Sequence, residues 1–391
     1  MPLQEQAGLF AEPRGPRALP TLDVQADVRY HLAPARSVLN APAATGMGFW
    51  SVNPYVGCAF GCAYCYARYT HKYVAERKMA AGSDEGHELT ELPPWLAFER
   101  RIFVKRNAAD VLRASLCRAQ STRFKAQKTR FTSPDSQAPS DSRFPIPDSR
   151  PSIPDSRIAR LWKDETVVIG TATDPYQPAE RRFRITRSLL EVLAAEKGMS
   201  VCIITKSALI TRDVDLLATI ANRSRLTIHL SLITLDRELA RRIEPRAPTP
   251  HARVRALERL AAAGIDVGIN VMPVLPGITD KPAMLDAVVR QVKAAGASHV
   301  NACALRLQSA ARKRYLPFIE LEFPTLYRAY RSTYSTSYQM GDSYREGLSR
   351  FMRERCRKHG IWYGHSRDRG DRPPASEAPD SGNDQLAFDL Q

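Results

Sequence analysis

Apolar residues recur along this chain in two rhythms. Short, almost continuously apolar runs occupy 166–170, 200–205, 226–232, 266–273 and 298–305. Between them lie amphipathic stretches at 185–197, 212–221, 249–263 and 282–295. A run that is apolar throughout predicts a strand buried on both faces, and the amphipathic stretches predict helices crossing over between such strands. With one further strand just ahead of Cys58, the pattern gives six β–α steps and predicts a parallel sheet covered by helices. Ligands in such sheets gather at the carboxyl ends of the strands, so the residues following each strand are the candidates for chemistry.

The rest of the chain breaks this rhythm. Residues 1–45 are rich in Pro, Ala and Arg and read as a flexible or extended segment. The main domain spans 46–317, interrupted at 118–158 by a low-complexity insertion with PDSR repeats, too polar and proline-broken to form a core. Residues 318–364 read as a helical extension in which Tyr327, Tyr330 and Tyr334 interleave with Arg328 and Arg331. That interleaving suits either a cap with its aromatic stripe inward or a base-stacking surface. The tail, 365–391, reads as disordered.

Composition narrows the function. No run of about eighteen apolar residues exists, so no membrane span is expected, and the first residues lack the apolar stretch of a signal peptide. Free thiols then suit a cytoplasmic location. A net charge of +16 favours a polyanionic partner such as nucleic acid, although an arginine-rich composition gives basic surfaces generally.

Seven cysteines are present, and three of them, Cys58, Cys62 and Cys65, fall in one short run, VGCAFGCAYCYAR. Their crowding and the odd total argue against disulfides. Three thiolates on one centre leave a tetrahedral set one ligand short. In an iron–sulfur cluster that shortfall leaves one iron open. The rival is zinc, completed by His71 as a three-cysteine, one-histidine set in a nucleic-acid-binding protein. A cluster that only senses redox state, or inert buried thiols, are the remaining readings.

The longer string NPYVGCAFGCAYCYAR, with Tyr64 before the last cysteine and TDPYQPAE downstream, resembles the radical S-adenosylmethionine (SAM) superfamily in a branch close to spore photoproduct lyase. The resemblance runs from about Ser51 to about Leu307. It implies a partial (β/α)6 barrel with parallel strands, a [4Fe–4S] cluster on Cys58, Cys62 and Cys65, and SAM on the open iron. One electron, from a donor of flavodoxin or ferredoxin type, would then cleave SAM to a 5′-deoxyadenosyl radical. By position in this pattern Tyr64, Thr173, Asp174, Lys206 and Ser231 match cofactor-binding residues, and Tyr66 is the catalytic candidate. Arg246, Asn270, Met272, Pro273 and Arg306 lie at other strand exits, Arg246 as a candidate contact to SAM or an anionic substrate. Cys202 and Cys303 read as core residues. One departure stands out: where lyases of this branch carry a hydrogen-donating cysteine, this chain has Thr171, whose O–H bond is too strong for that task. Lyase-type repair is therefore in doubt. The peptides at 6–10 and 385–390 are similar to those that bind replication clamps.

Overall fold

The fold is described by a computed structural model covering residues 21–25, 27–73, 92–129, 153–162 and 165–364. The strands in chain order are β1 (Thr21–Gln25), β2 (Val28–Leu32), β3 (Leu39–Asn40), β4 (Trp50–Val52), β5 (Tyr55–Val56) and β6 (Arg101–Val104). They continue with β7 (Thr166–Ile169), β8 (Ser200–Thr205), β9 (Arg225–Ser231), β10 (Asp266–Val274), β11 (His299–Ala304) and β12 (Trp362–Tyr363). The main sheet has the order β12-β11-β10-β9-β8-β7-β4-β3, every neighbouring pair parallel except the antiparallel β3–β4 edge. A mixed α/β fold built on parallel strands is the outcome, with the strands in sequence order.

The five apolar runs all form strands, and the four amphipathic stretches form the helices Ile185–Ala195, Val214–Arg223, Pro250–Ala262 and Pro282–Ala294. Each helix buries its apolar stripe, for example Leu285, Val288, Val289 and Val292 on the last. Thr249 starts the third helix by accepting a hydrogen bond from the Ala252 N–H at 3.3 Å. Strand residues alternate faces. On β8, Val201, Ile203 and Thr205 are buried, whereas Ser200, Cys202 and Ile204 on the opposite face are half-buried.

Two features depart from the expected organisation. The first parallel strand ends at Val52, not at Gly57. Asn53 and Pro54 interrupt it, and Tyr55–Val56 then pairs with β6 in a second sheet of order β1-β2-β6-β5. That sheet was not foreseen, because its strands are short and carry polar residues such as His31 and Arg101. It nonetheless buries Val28, Tyr30, Ile102, Phe103 and Val104, and it draws β1 and β2 from the segment expected to be flexible or extended, which also gives β3 to the edge of the main sheet. The helix Ala108–Thr129 runs into the segment read as an insertion, and a short helix, Asp155–Ile158, lies near its end. The terminal peptides at 6–10 and 385–390 lie outside the described residues.

After β11 come the helices Ser309–Glu322, Pro324–Thr336 and Asp342–Lys358, and then β12 pairs with β11. Tyr315, Tyr330 and Tyr334 are buried, and the Tyr330 hydroxyl donates to the Pro276 carbonyl at 2.7 Å. Arg328 and Arg331 are exposed, so the aromatic stripe faces inward and the arginines outward. No described helix is long and apolar enough to cross a membrane.

Candidate metal and cofactor site

The three clustered cysteines sit on a loop pinned from three directions. Gly57, at φ +89°, opens it where a Cβ would lie 2.7 Å from the Phe98 carbonyl, so a side chain is excluded. The Cys58 N–H donates to that same carbonyl at 2.9 Å. From the segment after β7, Thr173 Oγ1 and Gln177 Nε2 donate to the Gly57 carbonyl at 2.5 and 3.0 Å, and the Gln177 Oε1 accepts from the Ala59 N–H at 2.9 Å. From the segment after β9, the Ile243 carbonyl accepts from Ala63 N at 3.0 Å, and Arg246 N donates to the Phe60 carbonyl at 3.3 Å. The loop therefore bridges the exits of two parallel strands.

Cys58 and Cys62 are buried and Cys65 is half-buried. Burial, with smaller contributions from Asp174 and Cys65, pushes the Cys58 thiol up to about 12. Burial and then Glu244 raise Cys62, with Lys206 opposing, and burial raises Cys65 against Arg68 and Lys206. Thiols so placed become thiolates when a cation binds them. Among the described residues, no three His, Cys, Asp or Glu side chains gather tightly enough for a single metal ion. Three thiols on one short loop match a cluster, whose irons occupy separate corners. His71 is engaged elsewhere. Its Nε2 meets the Arg101 carbonyl at 2.8 Å, its ring packs between Phe98 and Phe103, and burial lowers its pKa to about 4. The donor set thus fits an iron–sulfur cluster better than the three-cysteine, one-histidine zinc alternative.

Beside the loop lies a buried set of charges. The Tyr64 hydroxyl donates to Glu244, whose other oxygen accepts from Arg253. Arg253 also donates to the Ser231 and Pro248 carbonyls at 3.0 and 2.9 Å. Burial alone would raise the Glu244 carboxyl, but Arg253, Lys206 and Tyr64 outweigh it and hold it low. Lys206 lies 5.6 Å from the centre of the Tyr64 ring. Burial works against its charge, but Cys62, Glu244 and Asp174 raise its pKa overall. Asp174 accepts from Thr205 Oγ1 at 2.6 Å, Lys206 N at 2.8 Å and Tyr176 N at 2.9 Å, and burial raises its carboxyl. It ties the exit of β7 to the exit of β8.

The other expected residues divide. Ser231 is buried at the end of β9, in register with Asn270 on β10. Thr173 is committed to the loop. Tyr66 has an exposed ring, but its hydroxyl donates to the Thr171 carbonyl. Thr171 in turn receives Asn53 Nδ2 on its hydroxyl at 3.2 Å. Arg246 is half-buried against the cysteine loop and pairs with Asp27 at 3.3 Å, and Arg306 is exposed. Reasoning from motifs missed Glu244, Arg253 and Gln177, whose partners are remote in sequence. The EPRAP break, read only for Arg246, was the available signal for Glu244.

A second network lies two residues further down β9, on the face that Ser231 shares. His229 Nε2 and His299 Nε2 are 2.9 Å apart, and Cys202 Sγ lies 4.0 Å from His229 Nδ1. His299 Nδ1 meets Ser298 Oγ at 2.8 Å, and that hydroxyl donates to Asp266 at 2.5 Å. Gly268 stands in register between the two histidines, where a Cβ would fall 2.1 Å from His299 Nε2. Cys202 is therefore part of a polar network, and Cys303 is half-buried.

Comparisons with known proteins agree with this arrangement. The radical SAM superfamily model matches residues 155–288. An uncharacterized protein of Mycobacterium tuberculosis is 31% identical over 353 residues, covering 90% of this chain and 86% of its own. An uncharacterized protein of Methanocaldococcus jannaschii is 22% identical over 59% of this chain and 61% of its own. Among solved structures, spore photoproduct lyase complexed with dinucleoside spore photoproduct has a TM-score of 0.51 at 14% identity, covering 85% of this chain and 81% of that one. That likeness is one of fold. The family's cofactors are a [4Fe–4S] cluster and SAM. With three clustered thiols pinned at the strand exits and this set of relatives, the chain belongs to the radical SAM superfamily.

Proposed function

We propose that this chain is a cytoplasmic enzyme that reductively cleaves SAM and acts on a nucleic-acid substrate. Its six sequential parallel strands form a partial (β/α)6 barrel over 46–317, which the segment 318–364 caps. When bound, the cluster and SAM together supply a 5′-deoxyadenosyl radical by one-electron scission of the sulfonium bond. Cys58, Cys62 and Cys65 would hold the cluster through three thiolates, one ligand short of a full set, which would leave room for SAM. Lys206 and Asp174 offer the opposite charges that the carboxylate and amino groups of SAM require. Glu244 and Arg253 hold Tyr64 against the cysteines, and Ser231 with Asn270 presents hydrogen-bonding groups to the cofactor. Tyr66, with an exposed ring over an anchored hydroxyl, faces the substrate.

The observation that carries this reading is the loop of three thiols, two buried and one half-buried, anchored by Thr173, Gln177 and the Ile243 carbonyl. Nucleic acid as substrate rests on the net charge and on a cavity of about 550 Å³ lined in part by Arg106, Arg182, Arg184 and Arg187. Thr171 at the lyase donor position favours a reaction other than lyase-type repair. Anaerobic reconstitution tests the reading. About four irons per chain and broad absorption near about 400 nm are expected, both lost in Cys62→Ser. Dithionite and SAM are expected to release 5′-deoxyadenosine. A colourless protein with stoichiometric zinc would refute the cluster, and an iron-loaded protein that leaves SAM intact would make it a redox sensor.

A further inference from the structure

The outer side of the cysteine loop carries an excess of positive charge that the chemistry above leaves unused. Four guanidiniums meet there from four segments: Arg68 just after the cysteines, Arg100 ending the helix Pro94–Arg100, Arg246 after β9, and Arg314 on the helix Ser309–Glu322. Two carboxylates face them. Arg68 pairs with Glu99 at 2.7 Å, and Arg314 reaches the same Glu99 only at 3.9 Å. Arg100 and Arg246 share Asp27, at 3.4 and 3.3 Å. Apart from the buried Arg68, these side chains are accessible: Arg100 is 37%, Arg246 32% and Arg314 27% exposed. Burial and the neighbouring Arg68, Arg100 and Arg246 together disfavour the charge on Arg314 despite Glu99. Like charges held this close are relieved by an incoming anion.

The patch touches the loop itself. A Cβ on Gly61, between Cys58 and Cys62, would lie 2.8 Å from an Arg246 terminal nitrogen, so no side chain separates the loop from the arginines. Arg68 NH2 donates to the Cys62 carbonyl at 2.8 Å. Glu244 and Arg253 stand on the other side, where Arg253 bonds the Ser231 carbonyl on the β9 strand. We infer that Arg100, Arg246 and Arg314 form the docking surface for an acidic one-electron carrier, which delivers its electron through the Phe60–Gly61 loop. The inference rests on the cluster assignment proposed above. It favours a protein carrier over nucleic acid because the patch is small and lies against the metal-binding loop.

The test uses anaerobically reconstituted protein and reduced flavodoxin as the acidic probe, with dithionite as a carrier-independent reductant. Cluster bleaching is followed by stopped flow. Arg100→Glu and Arg314→Glu are each expected to slow reduction by flavodoxin about tenfold, with salt slowing the wild type similarly. Reduction by dithionite and the iron content stay unchanged. Flavodoxin rates within about twofold of wild type in both variants, or a wild-type rate indifferent to salt, overturn the proposal. So does a variant that loses affinity for a labelled oligonucleotide while keeping its flavodoxin rate. Should a variant misfold, the wild-type salt series decides alone. If the wild type holds no cluster, the assignment of the cysteines fails, and calorimetry of flavodoxin binding still tests the surface separately.

Discussion

Two buried polar networks occupy the same set of strands, and they are built on opposite principles. The one beside the cysteines is made of charges: Glu244, Arg253, Lys206 and Asp174, with Tyr64 among them. The one below is made of two imidazoles, a hydroxyl and a thiol, and ends on a single carboxylate, Asp266. Ser298 has one proton, for which the acceptors are Asp266 at 2.5 Å and the Val267 carbonyl at 3.0 Å, so this arrangement favours a His299 that donates from Nδ1. Its Nε2 then accepts from His229 Nε2, and His229 Nδ1 is left to accept from the Cys202 thiol. Buried imidazoles and hydroxyls joined by hydrogen bonds give a core a unique arrangement at modest cost, whereas buried charges are expensive and tie their position to a partner. The difference teaches where ligand chemistry belongs: at the level of the thiols, where acidic and basic side chains converge, and not at the level of the histidines.

This contrast can be broken at either level. Glu244→Ala strips Arg253 of its carboxylate and Tyr64 of its acceptor. It should destabilise the fold by about 3–5 kcal/mol in urea denaturation, the usual cost of stranding a buried charge. A loss below about 1 kcal/mol would show the pair to be accessible to water. Gly268→Ala acts on the lower level by overpacking, since the added methyl meets the His299 ring. Its expected cost is about 1–3 kcal/mol. The same measurement on Gly264→Ala provides a control, because nothing lies within 4 Å of a Cβ there and only its φ of +74° opposes the change.

The smallest effect concerns His71 and pH. Burial lowers its pKa to about 4, so the folded chain holds it neutral while the unfolded chain protonates it below its ordinary value of 6.5. Its contribution is therefore complete above about pH 6.5 and is lost as pH falls from there toward about 4. The loss should reach about 1 kcal/mol by about pH 5.5. His71→Gln should flatten that slope in denaturation curves at two pH values and leave the iron content intact. Loss of iron in that variant would revive the histidine as a ligand.

The legible part of this protein was the part governed by local repetition. Strands such as Ser200–Thr205 and helices such as Pro282–Ala294 declare themselves through burial period, and both emerged within a residue or two of expectation. The cysteine spacing was equally plain. The second sheet was not, because β5 and β6 are two and four residues long and Arg101 is buried despite its charge. Roles also shifted. Thr173 holds the Gly57 carbonyl, and Arg246 pairs with Asp27 beside Gly61, since a side chain's direction at a strand exit depends on loops that no local pattern specifies.

The sequence by itself determined the parallel strands, their helices and the grouping of three thiols, because periodicity and spacing are properties of adjacent residues. Tertiary structure alone decided that Glu244 reaches Tyr64 across 180 positions and that His229 meets His299 across 70. Buried hydrogen bonds need a partner of the right kind within about 3 Å, and only the folded chain selects which distant residue that is.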